Sequence, residues 1–281
     1  MNEAELKSIL SQYKESNFQQ LGPVPLPTLV KAMLDYIGST DPELRDSLIY
    51  PCFTNLIING HFPPPELNRI VTVCLDDHHL FYKINEPDED AVFTRSFSSL
   101  ILAVLLFVNR QKPFIADEEI DHITNKMIHY VKKEEDVRGF VEGKGWAHSI
   151  AHIADALDEL VKQPQLKESR LEDIALLILD KMCFDKAYFL FEEDERMVVP
   201  FISLLERGMN PLFLYEKIDK IVMELQQSYS QHSSKPFIQR NNIKQFLRSL
   251  LLHLEVIGKK EEFREHLKNA LIAINQPYYN L

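Results

Sequence analysis

Glycine is scarce in this chain, with 8 residues in 281. An all-β fold needs many tight turns and nucleotide-binding loops need clustered glycines, so this scarcity speaks against both. Cysteine is scarcer still. Cys52, Cys74 and Cys183 lie far apart, in apolar surroundings, with no CxxC spacing. That pattern points to reduced thiols in a cytosol rather than to a disulfide framework. No apolar run is long enough for a membrane. The longest, LILAVLLFV at residues 100–108, falls well short of the roughly 20 residues that a spanning helix needs, and is expected to be a helix buried on all sides. The opening MNEAELKSIL is acidic and amphipathic and lacks the basic region and apolar core of a signal peptide. Cationic excess is missing too. The net charge is −11, whereas nucleic-acid binding depends on clustered Lys and Arg, so neither nucleic acid nor a membrane is an expected partner. The acidity serves solubility. GxSxG, HExxH, P-loop and GxGxxG patterns are all absent, and GFVEGKG lacks both the P-loop spacing and the Ser or Thr after its Lys.

What the chain does have is helical periodicity. Apolar residues recur three and four apart almost everywhere, and no alternating strand pattern stands out. Helices are expected at about 25–38, from Asp41 and Pro42 (N-cap and first helical position) to near Gly60, then at about 64–82, 89–111, 117–135, 145–163, 168–184, 193–207, 211–229, 235–257 and 260–275. The fold class is therefore all-α, about a dozen helices stacked as antiparallel pairs. The second members of the pairs start near 41, 89, 145, 193 and 235. A repeat of roughly 40 to 55 residues is near the HEAT and armadillo range, which suggests an α-α superhelix over a single domain, 1–281. QQSYSQHSSKP, residues 226–236, is the best candidate linker and reads as a surface loop.

GKGWAHSIAHIAD, residues 143–155, is the most unusual stretch and holds the only tryptophan. On a helical wheel, His148, His152 and Asp155 fall within roughly 60° of one another, and Trp146 shares the opposite, apolar side with Ile150, Ile153 and Leu157. The wheel expects Trp146 to anchor the helix underneath. The polar side is either a solvated face or a site. Lys144 and the backbone N–H groups at the helix start would attract an anion. His148 and His152 have a spacing that lets both reach one divalent metal ion, with Asp155 as third ligand, although Ser149 stands where a zinc protease has its glutamate.

Arg95 and Ser96, in DEDAVFTRSFSSL, sit one turn into an apolar helix that Asp90 can cap. An arginine there needs a partner: either a neighbouring carboxylate in a structural ion pair, or an anion clamped in the same cavity as His148. Arg45 holds a similar place one repeat earlier, and the two would form a polar strip along a concave face. Asp76, Asp77, His78 and His79, adjacent on a helix, read mainly as helix surface, and His122 and His129 as exposed.

At RGFVEGKGWAHSIAHIAD (138–155) and VFTRSFSSL (92–100) the chain resembles an uncharacterised family of bacterial proteins, common in Bacillus and its relatives, catalogued as a domain of unknown function. The resemblance covers most of the chain. It implies a helical protein and a bacterial cytoplasmic setting, and carries no activity, substrate, cofactor or catalytic residue. Three functional readings follow from the residues. The first is a cytoplasmic protein that binds a small anionic ligand or a protein partner in a concave polar groove, with Lys144, His148, His152, Asp155, Arg95, Ser96 and Arg45 around it. The second is a metal-dependent hydrolase using His148, His152 and Asp155. The third is a pure interaction scaffold.

Overall fold

The computed structural model describes residues 1–20, 22–84, 86–227 and 233–279. Part of the expected loop at 226–236, and the expected end of the helix at 211–229, lie outside the described residues. The all-α expectation holds: among the described residues the only strands are a two-residue pair. The chain falls into two compact units, 1–165 and 166–281.

The first unit runs α1 (Glu3–Lys14), α2 (Leu26–Asp35) and α3 (Pro42–Leu44), which passes through a π-helical turn (Arg45–Ile49) into α4 (Tyr50–Ile58). Next come α5 (Pro64–Cys74), α6 (Ala91–Gln111), α7 (Asp117–Lys133), the hairpin β1 (Phe140–Val141) and β2 (Gly145–Trp146), and α8 (Ser149–Val161). Local chemistry sets the starts. Asn2 and Glu5 form a reciprocal capping box on α1. Asp41 accepts from the Glu43 and Leu44 amides with Pro42 at the first helical position, as the sequence predicts. Asp90 departs from its expected role. It stands at the start of α6, but its side chain makes no capping bond.

α6 is the centre of this unit. It packs along α8 and also touches α4 and α5. It is the one described helix long and apolar enough to cross a membrane, and 83% of that apolar window is buried inside the protein. The small residues Ala151 and Ala154 of α8 are fully buried, which lets the two backbones come close. A buried amide pair fixes the register at the far end. Asn109 donates to the Gln163 side chain at 2.8 Å, Gln163 donates to the Leu106 carbonyl at 2.8 Å, and Asn109 Oδ1 accepts both the Phe114 and Ile115 amides. Each buried polar group so paired avoids the cost of an unmade hydrogen bond.

The second unit contains α9 (Glu168–Met182), α10 (Glu193–Glu206), α11 (Pro211–Gln227), α12 (Lys235–Ile257) and α13 (Glu261–Asn275). α12 packs against α9, α10 and α13, and α11 against α13. Asn242 on α12 anchors the loop before α10 by donating to the Phe184 and Ala187 carbonyls and accepting the Phe189 amide.

Candidate functional site

The GKGWAHSIAHIAD stretch is not a helix from its start. α8 begins only at Ser149, and the residues before it form the hairpin, with Phe140 opposite Trp146 and Val141 opposite Gly145. The reason is backbone geometry. Gly143, Gly145 and His148 have φ of +74°, +78° and +46°, and a left-handed residue cannot continue a right-handed helix. The hairpin is extended by Ala147 N–H to the Gly139 carbonyl at 2.8 Å and by His148 N–H to the Arg138 carbonyl at 3.0 Å. The wheel placement of Trp146 and His148 is thereby overturned. Trp146 is 40% exposed, Phe140 is 44% exposed, and their rings meet edge to face at 5.1 Å. Val141 and buried Gly145 face inward instead, Val141 against Val92, Phe93 and Ala147.

Gly145 is required where it stands. A Cβ there would lie 2.8 Å from Pro42 Cβ and 3.1 Å from both Arg45 Nη2 and Asp46 Oδ2, on a backbone that side chains already disfavour. The hairpin therefore sits directly on the start of the π-helical turn.

Arg45 is the fastener. It is fully buried, and its guanidinium lies over the Phe93 ring at 4.2 Å and the Phe97 ring at 4.9 Å. Nη1 donates to the Ser39 carbonyl at 2.5 Å, Nη2 to the Lys144 carbonyl at 2.7 Å and the Trp146 carbonyl at 3.4 Å, and Nε stands 2.8 Å from Asp46 Oδ1. Burial pushes the Asp46 carboxyl up, opposed by Arg45 and by the Trp146 backbone amide. The expected strip of arginines along a groove is not formed at Arg45, because this side chain is inside the protein.

Arg95 is also inside, 3% exposed. It meets Glu134 in a two-pronged ion pair, and Nη1 donates to the Tyr82 carbonyl at 3.0 Å. Burial acts most strongly against its charge, but the hydrogen bonds and charge of Glu134, with Tyr130 and Asp136 nearby, together outweigh it and hold the guanidinium pKa above its ordinary value. Glu134 also accepts from the Tyr130 hydroxyl and the Asp136 amide. Arg95 reaches the wall of a polar cavity of about 460 Å³ together with Glu134, Glu135 and Asp136, so carboxylates surround it there.

Ser96 is fully buried and hydrogen-bonds the Ala147 carbonyl, with His152 Nδ1 2.7 Å from its oxygen. A hydroxyl has one proton. The carbonyl takes it, so His152 Nδ1 is the donor to Ser96, and the imidazole is not set to draw a proton from the hydroxyl. The His152 ring stands edge-on to Phe97 at 5.0 Å and to His148 at 5.8 Å, and His148 stacks on Trp146 at 4.2 Å. Asp155 follows on α8, half-buried. Among the described residues, no group of three or more His, Cys, Asp or Glu side chains is arranged to hold a metal ion.

Lys144 does not sit at the start of α8. From the hairpin turn it reaches Asp90, Nζ to Oδ1 at 2.6 Å. Asp90 in turn lines a cleft of about 420 Å³ that the sequence does not single out as a site. Its wall carries Asp35, Asp88 and Asp90, the rings of Tyr36, Tyr82, His78 and His79, and Ser39, with no lysine or arginine among the described lining residues. Gly38, also on the wall, presses against α6, since a Cβ on it would fall 2.7 Å from the Thr94 amide nitrogen. The carboxylates are held by lysines from outside: Asp35 by Lys31 at 2.5 Å and Asp88 by Lys83 at 2.8 Å. The hydrogen bond from Lys83 keeps the Asp88 carboxyl below its usual range. Asp76 accepts from the His78 amide and is 2.9 Å from His79 Nδ1, which sets the two histidines at the rim. His122 and His129 are exposed, as expected. The fold alone brings His78, His79 and Tyr82 of LDDHHLFYKIN, and Asp88 and Asp90 of NEPDED, to the end of α2.

A helical protein with an exposed aromatic hairpin beside a cleft lined by carboxylates is the class that fold and site define. The chain belongs to DUF2785, a family of proteins of unknown function, which it matches over residues 80–252. The match takes in Asp88, Asp90, Arg95, the hairpin and α8, while Asp35, Ser39, Arg45, His78 and His79 precede it. No curated protein and no solved structure matches the chain.

Proposed function

We propose that this is a binding protein, and that its ligand carries a cationic group seated in the acidic cleft of the first unit. The observation that carries the reading is the cleft wall: three carboxylates and four aromatic or imidazole rings without a cationic side chain among the described lining. Its volume is in the range of small-ligand sites, typically about 300–1,000 Å³. The sign of the ligand is the reverse of the anion expected from Arg45, Arg95 and Lys144, because those three cations are engaged with Asp46, Glu134, Asp90 and backbone carbonyls. Each cleft carboxylate also meets a lysine from outside the wall, Asp35 with Lys31, Asp88 with Lys83 and Asp90 with Lys144, but every one of these side chains is a third or more exposed, and such pairs are worth about 0–1 kcal/mol, so a ligand cation can displace the lysines. A binding role also suits Ser96, whose single proton is directed at a carbonyl rather than at His152. A reducing compartment suits three free thiols, with burial pushing Cys52 up to about 12.

The test is a titration of the whole protein, followed through the backbone amides of the cleft wall at Asp88, Asp90 and Thr94. The probes are n-butylammonium, guanidinium, acetate and inorganic phosphate. The two cations are expected to bind and the two anions not. Asp90→Asn and Asp35→Asn are each expected to weaken cation binding by about tenfold or more, as loss of a charged hydrogen bond does. Preferential binding of acetate or phosphate would overturn the reading, and so would the absence of any cation binding.

A further inference from the structure

We infer that the cationic group is the side chain of a lysine or arginine in an extended segment of a partner protein, and that Phe140 and Trp146 form the docking surface for the residues beside it. This rests on the acidic-cleft reading above and names its ligand. Three observations carry it.

The first is the display of two aromatic rings on a rigid support. Phe140 and Trp146 are directly paired across the hairpin, both about two-fifths exposed, while their neighbours Val141 and Gly145 face the protein. Nothing beneath them is loose. Arg45 holds the Lys144 and Trp146 carbonyls, His148 stacks on the indole, and Gly145 is wedged against Pro42. Large aromatic side chains on a fixed backbone lose little freedom on binding, which is why they dominate interaction surfaces.

The second is continuity with the cleft. The hairpin turn is tied to the cleft wall twice, through Lys144 to Asp90 and through Arg45 to the Ser39 carbonyl. A small free amine would fill the cleft and leave the rings untouched. A peptide that places one cationic side chain in the cleft brings its neighbours to the hairpin.

The third is charge. The chain carries a net −11, and the segments that flank cleft and hairpin contribute Glu86, Glu89, Glu135 and Glu142 besides the cleft carboxylates. Lysine and arginine suit both halves of such a surface, since the charged head seeks carboxylates while the methylene stem and guanidinium plane lie well on aromatic rings.

The experiment compares n-butylammonium with the capped peptides acetyl-Ala-Lys-Ala-Ala-amide and acetyl-Ala-Arg-Ala-Ala-amide, and with the glutamate analogue, titrated into the full chain. At least one basic peptide is expected to bind about tenfold or more tighter than n-butylammonium and to shift the Trp146 indole signal. The glutamate peptide is expected not to bind. Trp146→Ala and, separately, Phe140→Ala should abolish the peptide's advantage and leave n-butylammonium affinity unchanged, followed there through the Asp90 amide. Both rings are on the surface, so neither truncation hollows the core, and unaltered thermal unfolding certifies each variant. Peptides no tighter than n-butylammonium, or an advantage that survives both substitutions, would overturn this inference while leaving the cleft reading intact. Failure of n-butylammonium and the basic peptides alike would overturn both.

Discussion

Arg95 Nε lies 2.6 Å from Glu134 Oε2, and Arg95 Nη2 lies 2.8 Å from Glu134 Oε1, with both side chains almost wholly buried. The pair joins the first turns of α6 to the end of α7 and closes off the arginine that the sequence offers as an anion clamp. Removing one partner leaves the other charged in the interior. Glu134→Ala is expected to cost about 3–5 kcal/mol of unfolding free energy, measured in urea, and the double variant Arg95→Met with Glu134→Leu to recover most of it. A loss below about 1 kcal/mol in the single variant would mean that water reaches the site and the pair is not buried in solution.

The hairpin glycines separate backbone strain from steric collision. Gly143 and Gly145 have nearly the same positive φ, but a Cβ meets nothing within 4 Å at Gly143 and three close neighbours at Gly145. Gly143→Ala should cost about 1 kcal/mol, the left-handed penalty alone, and Gly145→Ala upwards of about 2 kcal/mol. Equal losses in thermal or urea unfolding would show that Gly145 is not wedged against the π-helical turn.

Glu193, at the first position of α10, is fully buried. Its Oε2 accepts the Phe191 amide at 2.8 Å, and its Oε1 has no hydrogen-bond partner among the described residues. Burial raises its pKa, with backbone hydrogen bonds pulling the other way. A raised carboxyl holds its proton longer in the folded state. Its contribution to stability is therefore complete below the unfolded value near 4.5 and is lost as pH rises through the folded value. Glu193→Gln cannot ionise. Its stability relative to the unaltered protein should rise as pH climbs above about 4.5 and level off once pH has passed the raised folded value. A difference that is flat or falls with pH would place the carboxylate in contact with water.

Short-range features were legible in the sequence. α6 and its burial, the Asp41 cap and the helical class follow from periodicity and capping chemistry, which act within one or two turns. The start of α8 was not legible, since the apolar spacing of Trp146 with Ile150 and Ile153 imitates a helix while positive φ at Gly143, Gly145 and His148 forbids one. The partner of Arg95 was expected as a type, a neighbouring carboxylate, but Glu134 is 39 residues away, and no local pattern selects it. The cleft was invisible for the same reason: the fold brings Asp35 on α2 together with Asp88 and Asp90 before α6, and each alone reads as a solvated acid.

One contact bears on how separable this chain is. Arg45 grips the Lys144 carbonyl from 99 positions away, across most of the first unit, and Arg45 lies ahead of the stretch that matches the family, which begins at Leu80. A fragment cut at that boundary would keep the aromatic hairpin and discard its clasp, exposing two backbone carbonyls and the inner edge of Gly145 to solvent. The family stretch is accordingly not a self-sufficient module in this protein, and the segment that precedes it works as a built-in splint.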